Sequence, residues 1–432
     1  MRLKTVIAAG VLAAMTGTAP ALADMVFPSL SYRTGPYAPN GIPFADGYSD
    51  YFTLINERDG GINGVKIDNP ECETGYNTEK GVECYESTKG IGTGALIYQP
   101  LSTGITYQLI PKMTADGIPL HSMAYGRTSA MDGKIFEWVF NYPANYWDGA
   151  TIAVKHAADM EGGSLDGKSI ALVYHNSAYG KEPIRTLEEL SKEMNFKLTL
   201  IPVDHPGQEQ KSQWLQIRRD RPDYVLMWGW GVMNAVAVQE AANIRYPMDH
   251  FIGIWWSGSE QDVLPAGDGA NGYKSLNFTG TGTDYPVFAD IKKYVVDAGK
   301  AAGDGSNLGT VQYNRGMYAA MLAVEAARKA QELTGKTEIT AADMREGMEH
   351  LDVSDDRMAE LGMPGFGPAV SVTCANHGGS GAALVQQWDA SAKKWNAITD
   401  LIASNRDLVT KLALEDAAAF AAENNITPRA CN

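Results

Sequence analysis

The hydrophobic positions of this chain alternate between two spacings over most of its length. Short apolar runs, such as residues 169–174 (SIALVY) and 224–228 (YVLMW), predict buried parallel strands. Between such runs, apolar residues recur at helical spacing, as Ile184, Leu187 and Leu190 do. Strands that alternate with helices predict parallel sheets covered by helices on both faces. We therefore predict an α/β fold whose ligand sites lie beyond the carboxyl ends of the strands.

The two spacings assign most of the chain to individual elements. The residues predicted to form strands are 26–32, 65–67, 94–98, 117–122, 169–174, 198–201, 224–228, 251–254 and 383–388. The residues predicted to form helices are 44–55, 78–88, 146–160, 182–194, 208–220, 233–243, 313–330, 341–350 and 403–424. Gly60 and Gly61 are expected to end the first helix, because glycine adopts a positive φ easily. The last helix is expected to face solvent as an appendage.

The first residues have the pattern of a secretory signal. Arg2 and Lys4 supply positive charge, residues 6–14 form a short apolar run, and residues 21–23 (ALA) form a small-x-small cleavage site. We expect cleavage after Ala23 and a soluble mature chain; the alternative is that the segment stays as a membrane anchor. No later stretch approaches about 20 uncharged apolar residues, the length of a transmembrane helix.

Length and charge limit the possible functions. The 409 residues that follow Ala23 in the 432-residue chain are enough for two lobes, at roughly 100 to 200 residues per domain. The formal net charge is −15 and the isoelectric point is near 5.0. Because nucleic acids and anionic membranes are bound through basic surfaces, this charge argues against both as partners.

The chain contains four cysteines, Cys72, Cys84, Cys374 and Cys431. In an oxidising compartment, an even and sparse set predicts two disulfides, and the sequence allows three pairings. We favour the pairing of neighbours, Cys72 with Cys84 and Cys374 with Cys431, which would pin the carboxyl-terminal tail. A zinc site is the alternative, but no C-x-x-C pair is present to support it.

Residues 162–169 (GGSLDGKS) match the phosphate-binding pattern G-x-x-x-x-G-K-S. A working phosphate loop follows a strand and begins a helix, so that the helix amino terminus faces the phosphate. Here a predicted helix precedes the glycines and a predicted strand follows them. We therefore expect an ordinary connection, and we expect no nucleotide, other cofactor or metal ion.

Patterns typical of catalysis are equally weak. Neither G-x-S-x-G nor H-E-x-x-H occurs. The rival enzyme hypothesis is a periplasmic hydrolase, for which Ser102 with His121 is the best pair of nucleophile and base. We predict a protein that is not an enzyme, because scattered histidines are more often structural than catalytic.

Sequence motifs along the chain point to one family. Residues 34–38 (TGPYA) form a turn before a predicted helix, and residues 60–67 (GGINGVKI) enter the next strand. Residues 167–182 (GKSIALVYHNSAYGKE), 222–231 (PDYVLMWGWG) and 384–395 (LVQQWDASAKKW) follow later. Together these segments resemble the branched-chain amino-acid-binding family of periplasmic solute-binding proteins. The cysteine-bearing inserts and the carboxyl-terminal tail depart from the common pattern.

The resemblance spans about residues 26–398 and implies a type I periplasmic binding protein. Two Rossmann-like lobes with parallel central sheets, joined by a three-stranded hinge, would close on a small ligand. The expected partners are the membrane permease and the ATPase subunits of an ABC transporter, served by a monomer in the periplasm; a ligand sensor on the same fold is the alternative. The boundaries implied are 1–23 for the signal peptide, 24–143 with 277–373 for lobe 1, and 144–276 with 374–432, including a C-terminal extension, for lobe 2.

The resemblance also places ligand contacts in loops that face the cleft. From lobe 1 it implies Asn40, Ser102, Thr103, Ala124, Tyr125, Gly126 and Arg127, and from lobe 2 Tyr179, Trp230, Trp255 and Trp256. Hydroxyls and backbone amides of the first set would receive a carboxylate. Arg127 could pair with the same carboxylate; the alternative is an ordinary surface arginine.

Our prediction of the ligand class depends on one departure from the family pattern. In amino-acid-binding members an acidic side chain receives the α-ammonium at the position that Trp255 or Trp256 occupies here. A buried ammonium without its charge partner is strongly destabilised, whereas tryptophans offer flat surfaces for stacking. We therefore favour an aromatic or other apolar carboxylate. The alternatives are tryptophans packed in the core, a quaternary ammonium ligand, or an amino acid or amide held with the help of Glu260.

Overall fold

The computed structural model describes residues 23–431. The predicted secretory signal therefore lies outside the described residues, apart from Ala23. Within the described part of the chain, strands and helices alternate as the hydrophobic pattern predicts. The α/β fold class is confirmed.

The strands of the described residues are short in the first third of the chain and longer after it. They are β1 Met25–Val26, β2 Ser29–Ser31, β3 Ile67–Asp68, β4 Glu71–Glu73, β5 Leu120–His121, β6 Val139–Phe140, β7 Ser169–His175, β8 Lys197–Val203, β9 Tyr224–Trp228, β10 Phe251–Gly253, β11 Lys274–Asn277, β12 Asp352–Val353, β13 Val370–Ser371, β14 Ala382–Asp389, β15 Lys394–Ala397 and β16 Ile402–Ala403. The strand predicted over 26–32 is split in two at Pro28, because proline has no N–H for the strand ladder.

Most helices within residues 23–431 lie at or near predicted positions, but the helix Thr103–Asp116 and four short helices were not predicted. They are α1 Ala38–Arg58, α2 Thr78–Thr88, α3 Thr103–Asp116, α4 Tyr146–Met160, α5 Ala178–Lys181, α6 Ile184–Glu193, α7 Lys211–Asp220, α8 Val232–Asn243, α9 Glu260–Val263, α10 Val287–Ile291, α11 Val311–Thr334, α12 Ala341–Glu349, α13 Asp355–Glu360 and α14 Arg406–Asn424. Side-chain caps fix several of the starts: Asn145 forms a capping box with Asp148 at α4, and Ser102 caps α3.

The larger sheet defines the C-terminal lobe, which comprises α4 to β11 and β14 to β16. Its strand order is β15-β14-β11-β10-β9-β7-β8, with β16 beside β14. Strands β7 to β11 run parallel to one another, and β14 is antiparallel to β11. Because the parallel strands end at one edge of the sheet, the loops after β7, β9 and β10 lie together.

The smaller, irregular sheet defines the N-terminal lobe, which comprises β1 to β6, β12, β13, α1 to α3 and α10 to α13. Three parallel pairs, β1 with β3, β2 with β4 and β5 with β6, form its regular parts. The strand predicted over 94–98 pairs only through single bridges, such as Val26 with Ala95 and Tyr98 with Leu120. Those bridges join the three pairs into one parallel sheet. Helix α1 packs against α11, the long alanine-rich helix.

The chain passes between the lobes three times: between β6 and α4, after β11, and between β13 and β14. The first and third crossings are hydrogen-bonded to each other. The carbonyl of His377 accepts the amides of Asn141 (3.1 Å) and Tyr142 (3.0 Å), and the amide of Gly381 donates to Pro143 (2.9 Å). This arrangement confirms two lobes on a three-stranded hinge.

Helix α14 forms as predicted but is not a solvent-facing appendage. Its residues Val409 and Leu412 are buried, and Phe420 stacks on Phe136 of the N-terminal lobe with ring centroids 4.8 Å apart. On its other side Glu415 pairs with Arg185 of the C-terminal lobe (2.5 Å). The contact face contains small alanines, which do not stand out as an apolar stripe in the sequence.

Both disulfides join the neighbours in sequence, as predicted. Cys72 pairs with Cys84 and Cys374 with Cys431, with Cα atoms 5.6 and 5.5 Å apart. The first closes the insert between β4 and α2. The second ties the residues after α14 to the third crossing between the lobes.

The glycine-rich phosphate-type segment connects the end of α4 to the start of β7, so it precedes a strand and does not begin a helix. Over residues 23–431, no helix is both long and apolar enough to cross a bilayer. The same residues contain no group of three or more His, Cys, Asp and Glu side chains arranged to hold a metal ion.

Candidate functional site

The loops that end the parallel strands of the two lobes meet face to face. They form a closed interlobe cleft, and ten of the eleven predicted ligand residues are buried there or beside it. The exception is Arg127, whose side chain is 22% exposed. The cleft is dominated by aromatic rings from both lobes.

Two of the three predicted tryptophans join the lobes. Trp255 and Trp256 follow β10 in the C-terminal lobe, and both donate their indole N–H to the carbonyl oxygen of Ala124, at 2.9 and 3.1 Å. Ala124 follows β5 in the N-terminal lobe and has a positive φ of 56°. Its carbonyl therefore has both lone pairs used by the opposite lobe.

The faces of Trp256 are already occupied by protein. The Tyr125 ring lies 4.3 Å from it at a 31° tilt, and the Arg315 guanidinium carbon lies 4.9 Å from its centroid. Trp230 meets Trp256 edge to face at 5.5 Å. In contrast to the other two, the Trp230 indole N–H is buried without a hydrogen-bond partner among the described residues. Trp230 is thus the tryptophan best placed to contact a ligand.

Hydroxyl groups of tyrosines converge on the same part of the cleft. The Tyr125 and Tyr146 hydroxyls are buried and, within residues 23–431, have no partner. Burial raises the pKa of Tyr32, Tyr125 and Tyr146 well above the ordinary value, and the nearby Tyr76 hydroxyl raises each further. These groups are therefore neutral hydrogen-bond donors. Unpaired buried donors are rare and destabilising, so their convergence indicates a place for a polar ligand atom.

The amino terminus of α3 adds further donors. Ser102 accepts the amide of Ile105 (3.3 Å) and Thr103 accepts the amide of Gly126 (3.4 Å), so each hydroxyl keeps its own proton for another acceptor. The first amides of a helix point outward and carry partial positive charge. Backbone and hydroxyl donors at this place suit a carboxylate.

Asn40 and Asp262 form a second link between the lobes. Asn40 of α1 donates to one Asp262 carboxylate oxygen (3.1 Å), as Asn234 does (3.0 Å). The other oxygen accepts the amide and the hydroxyl of Ser259, both at 2.8 Å. Burial raises the pKa of Asp262 to about 6 despite these four donors. The carboxylate is saturated and has no free position for a ligand ammonium.

Glu260 is occupied by the protein as well. Its carboxylate accepts the first amide of α11, that of Val311, at 3.1 Å. Burial raises the pKa of Glu260 to about 7. Glu260 was the alternative acid for binding a ligand ammonium, and in the structure it caps α11.

A third buried acid, Glu182, lies beside the cleft. It extends from the loop before α6 and accepts hydroxyl protons from Tyr107 and, at 2.9 Å, Thr128 of the N-terminal lobe. Burial raises the pKa of Glu182. A Cβ atom on Gly126 would lie 2.2 Å from a Glu182 carboxylate oxygen, so any side chain there would displace the acid.

Arg127 and Tyr179 both bind protein atoms. Arg127 pairs with Asp416 of α14 at 2.5 Å, and its guanidinium lies 4.7 Å from the Phe420 ring centroid. The Tyr179 hydroxyl donates to the Gly229 carbonyl (2.9 Å) and its ring lies 5.2 Å from Tyr146.

The pair considered for a hydrolase is not assembled. His121 hydrogen-bonds to the Tyr142 carbonyl (3.0 Å) and stacks on the Tyr142 ring, whereas Ser102 caps a helix. No hydrogen bond joins them in the part of the chain that the structure describes. Burial lowers the pKa of His121 to about 4, so the ring is a neutral structural group.

A further hydrogen-bonded group joins the two lobes across the cleft. It consists of Tyr37, His175 and His205, and we call it the histidine clasp. The Tyr37 hydroxyl lies 2.8 Å from His175 Nε2 and 2.9 Å from His205 Nδ1. Tyr37 precedes α1 in the N-terminal lobe, whereas His175 ends β7 and His205 follows β8 in the C-terminal lobe. Burial and His205 lower the pKa of His175 to about 3.

Sequence analysis missed several residues of the cleft. Tyr32, Tyr76, Tyr146 and Arg315 belong to the aromatic cluster but lie outside the quoted motifs. Tyr32 directly follows β2, a strand-end position that could have identified it. Tyr76, with a positive φ of 61°, lies in the insert closed by Cys72–Cys84, which departs from the family pattern.

Comparisons with known proteins agree with this geometry. Residues 27–394 match the family model described as periplasmic binding protein. A protein described as an ABC transporter permease from the Pseudomonas fluorescens group is 42% identical, with a TM-score of 0.87 over 95% of this chain and 99% of that chain. No curated protein matches the sequence.

Two more distant solved structures share the fold. A branched-chain amino-acid ABC transporter protein from Thermus thermophilus with bound valine is 20% identical, with a TM-score of 0.76 over 90% of this chain and 98% of that one. A solute-binding protein from R. palustris in complex with benzoate is 16% identical, with a TM-score of 0.66 over 88% and 98%.

Proposed function

The chain belongs to the periplasmic binding protein family and is the substrate-binding component of an ABC importer, and from this premise we propose that its interlobe cleft captures an aromatic or other apolar carboxylate. The observation that carries the proposal is the convergence of unpaired buried donors among aromatic rings. The donors are the hydroxyls of Tyr125 and Tyr146 and the indole N–H of Trp230. A ligand with acceptor oxygens on an aromatic body satisfies both features.

The carboxylate end of such a ligand lies at the amino terminus of α3 in our proposal. Ser102 and Thr103 offer hydroxyl protons there, and the helix amides offer a partial positive charge. A carboxylate bound by several neutral donors needs no contacting cation. Arg127, tied to Asp416, is not required for this contact.

The occupied acids weigh against an α-amino group. Asp262 has four donors and so offers no free lone pair to an ammonium, and Glu260 is held at the start of α11 by its hydrogen bond to the Val311 amide. Leaving an ammonium buried and unpaired is strongly unfavourable. The benzoate complex of the R. palustris protein demonstrates that the fold can hold an aromatic acid in at least one member.

A branched-chain amino acid remains the second candidate, for one specific reason. Glu182 is a buried carboxylate of the C-terminal lobe that reaches the ligand-facing loop at Gly126. The Tyr107 and Thr128 hydroxyls each donate to one Glu182 oxygen, which leaves one lone pair free on each oxygen. The Thermus thermophilus protein binds valine on the same fold.

The remaining parts of the proposal concern the protein's setting. We propose that the cleaved chain works in the periplasm as a monomer and hands its ligand to a membrane permease driven by ATPase subunits. We also propose lobe boundaries at 143/144, 276/277 and 373/374; the first and third fall within crossings, and the second falls one residue before the end of β11. Helix α14 contacts both lobes, which supports treating it as a strap and not as a part of one lobe.

A thermal-shift screen of the purified protein tests the proposal. The four ligand classes are aromatic acids, branched-chain amino acids, amides and betaines. We expect stabilisation by an aromatic acid that saturates at one ligand per chain, without turnover of the compound. A response confined to leucine, isoleucine or valine would contradict the aromatic proposal, and loss of that response in Glu182→Gln would establish the second candidate.

A further inference from the structure

Arg315 is a fully buried arginine directly behind the aromatic cluster. It lies in α11 of the N-terminal lobe, and its side chain is 0% exposed. One guanidinium nitrogen donates to the Trp255 carbonyl (2.5 Å) and another to the Asn277 side-chain oxygen (2.7 Å). Its Nε has no partner within residues 23–431. Neutral oxygens therefore hold a buried cation.

No carboxylate among the described residues lies within ion-pair distance of Arg315. The acids that act on its charge from further away are Asp262 and Glu260. Burial raises the pKa of Asp262 to about 6 and that of Glu260 to about 7, which weakens the negative charge that these acids supply near neutral pH. Burial also lowers the pKa of Arg315 to about 9, which reflects a charge without sufficient compensation. Such a site favours an added anion.

The cation is coupled to the ligand-facing donors through a stack of rings. The Arg315 guanidinium lies 4.9 Å from the centroids of both Trp256 and Phe278. Trp256 stacks in turn on Tyr125, whose hydroxyl is one of the unpaired donors. A nearby positive charge makes a phenolic hydroxyl a better donor to an anion.

We propose that Arg315 is the specificity-determining residue that makes the cleft select anionic aromatic ligands over neutral and cationic ones of the same shape. It acts as a positioning residue, through the Trp256–Tyr125 stack, and does not touch the ligand. The inference rests on the proposed function, because it assigns the charge selectivity of that same cleft. It also argues against the quaternary ammonium alternative, since the cation repels a ligand of like charge.

Three isosteric probes test this selectivity: benzoate, benzamide and benzamidinium, which carry charges of −1, 0 and +1. Calorimetric titration compares the wild type with Arg315→Met and Arg315→Lys. For the wild type we expect benzoate to bind at least about tenfold more tightly than benzamide, and benzamidinium to bind more weakly still. In Arg315→Met the benzoate-to-benzamide ratio should fall to about threefold or less, with benzamide affinity retained, and Arg315→Lys should restore it.

The controls separate the possible failures. If the wild type binds none of the three probes or their aromatic homologues, the proposed function falls and this inference falls with it. If the wild type prefers benzoate but Arg315→Met keeps the full preference, only the role of Arg315 is refuted. If Arg315→Met does not fold, Arg315→Gln decides, because it removes the charge and keeps a side-chain N–H donor near the Trp255 and Asn277 oxygens. A lowered ratio in Arg315→Gln supports the inference, and an unchanged ratio overturns it.

Discussion

The indole N–H of Trp255 donates to the main-chain oxygen of Ala124 across the interlobe cleft, at 2.9 Å. The two residues lie at the ends of strands in different lobes, so the hydrogen bond exists only while the cleft is closed. Trp256 uses the second lone pair of the same oxygen. Two of the tryptophans that sequence analysis assigned to the ligand thus stabilise the closed state directly.

Replacing Trp255 by phenylalanine should therefore weaken ligand binding without removing an aromatic ring. The lost hydrogen bond is worth about 0.5–1.5 kcal/mol, which corresponds to roughly two- to tenfold in affinity. The matched control is Trp214→Phe, which removes an indole bond to Gln210 (3.1 Å) inside the C-terminal lobe. Calorimetry should find the control's affinity unchanged even if its melting temperature falls; equal losses of affinity in both variants would contradict the closing role.

Trp230 should contribute more through contact with the ligand itself. We expect Trp230→Ala to weaken binding of an aromatic acid at least about tenfold, or about 1.4 kcal/mol. Trp230→Phe keeps an apolar ring but loses the unpaired N–H, so its loss should be smaller. Fluorescence titration measures both. An alanine variant that binds as the wild type does would place the ligand elsewhere.

Gly126 and Glu182 should behave as a coupled pair. A methyl group at Gly126 meets the Glu182 carboxylate at 2.2 Å, so Gly126→Ala must displace an acid that links the lobes. We expect the single variant to lose affinity, and the same change to cost much less in a Glu182→Ala background. A double-mutant cycle on binding measures the coupling. Additive losses would show that Gly126 is required for another reason.

The histidine clasp should make binding depend on pH. In the closed state the pKa of His175 is lowered from 6.5 to about 3 and that of His205 is also lowered, both chiefly by burial, although Asp204 opposes the shift of His205. Protonation therefore favours the open state. Closure is fully supported above about pH 6.5, the ordinary histidine value, and weakens as pH falls below it. We expect at least about a tenfold loss of affinity between pH 7 and pH 5.

The control for this pH effect is a His175→Gln, His205→Gln double variant. Glu260 and Asp262 titrate in the same range, with pKa values of about 7 and 6, and the variant leaves them in place. Only the difference between wild type and variant reports on the clasp. A wild-type pH profile parallel to that of the variant would rule out a role for the histidines in closure.

The Cys374–Cys431 disulfide should stabilise the strap formed by α14. Its sequence separation of 57 residues gives a loop-closure contribution of about 4 kcal/mol in the chain-entropy model, against about 3 kcal/mol for the 12-residue separation of Cys72–Cys84. We expect Cys374→Ser with Cys431→Ser to lower the free energy of unfolding more than the Cys72, Cys84 pair of changes does. Denaturant unfolding measures both, and the opposite order would contradict the expectation.

The sequence was sufficient for the fold because its signals are local. Apolar runs such as YVLMW give β9 to the residue, and the caps at Asn145 and Ser102 lie where the helices begin. The face of α14 that packs against the two lobes could not be predicted in this way, because its alanines do not form a strong apolar stripe in the sequence. Which surface a weakly patterned helix covers depends on contacts between distant parts of the chain.

Residues of the cleft could be predicted only where they belong to a motif of the family resemblance. Trp230 and Tyr125 stand at strand ends that the family resemblance marks. Arg315 lies in the middle of an alanine-rich helix, where a single arginine is usually exposed, and its position behind Trp256 results from packing between α11 and the loop after β10. Tyr146, the first residue of α4, reaches the cleft because the first hinge crossing directs it there.

The most direct test of the account is a crystal structure of the protein with the aromatic acid that stabilises it most in the thermal-shift screen. We predict a closed cleft in which the ligand's oxygens lie within about 3.2 Å of the Tyr125 or Tyr146 hydroxyl, the Trp230 indole nitrogen or the Ser102 and Thr103 hydroxyls. A ligand bound outside the cleft, or an amino acid whose ammonium contacts Glu182, would contradict it.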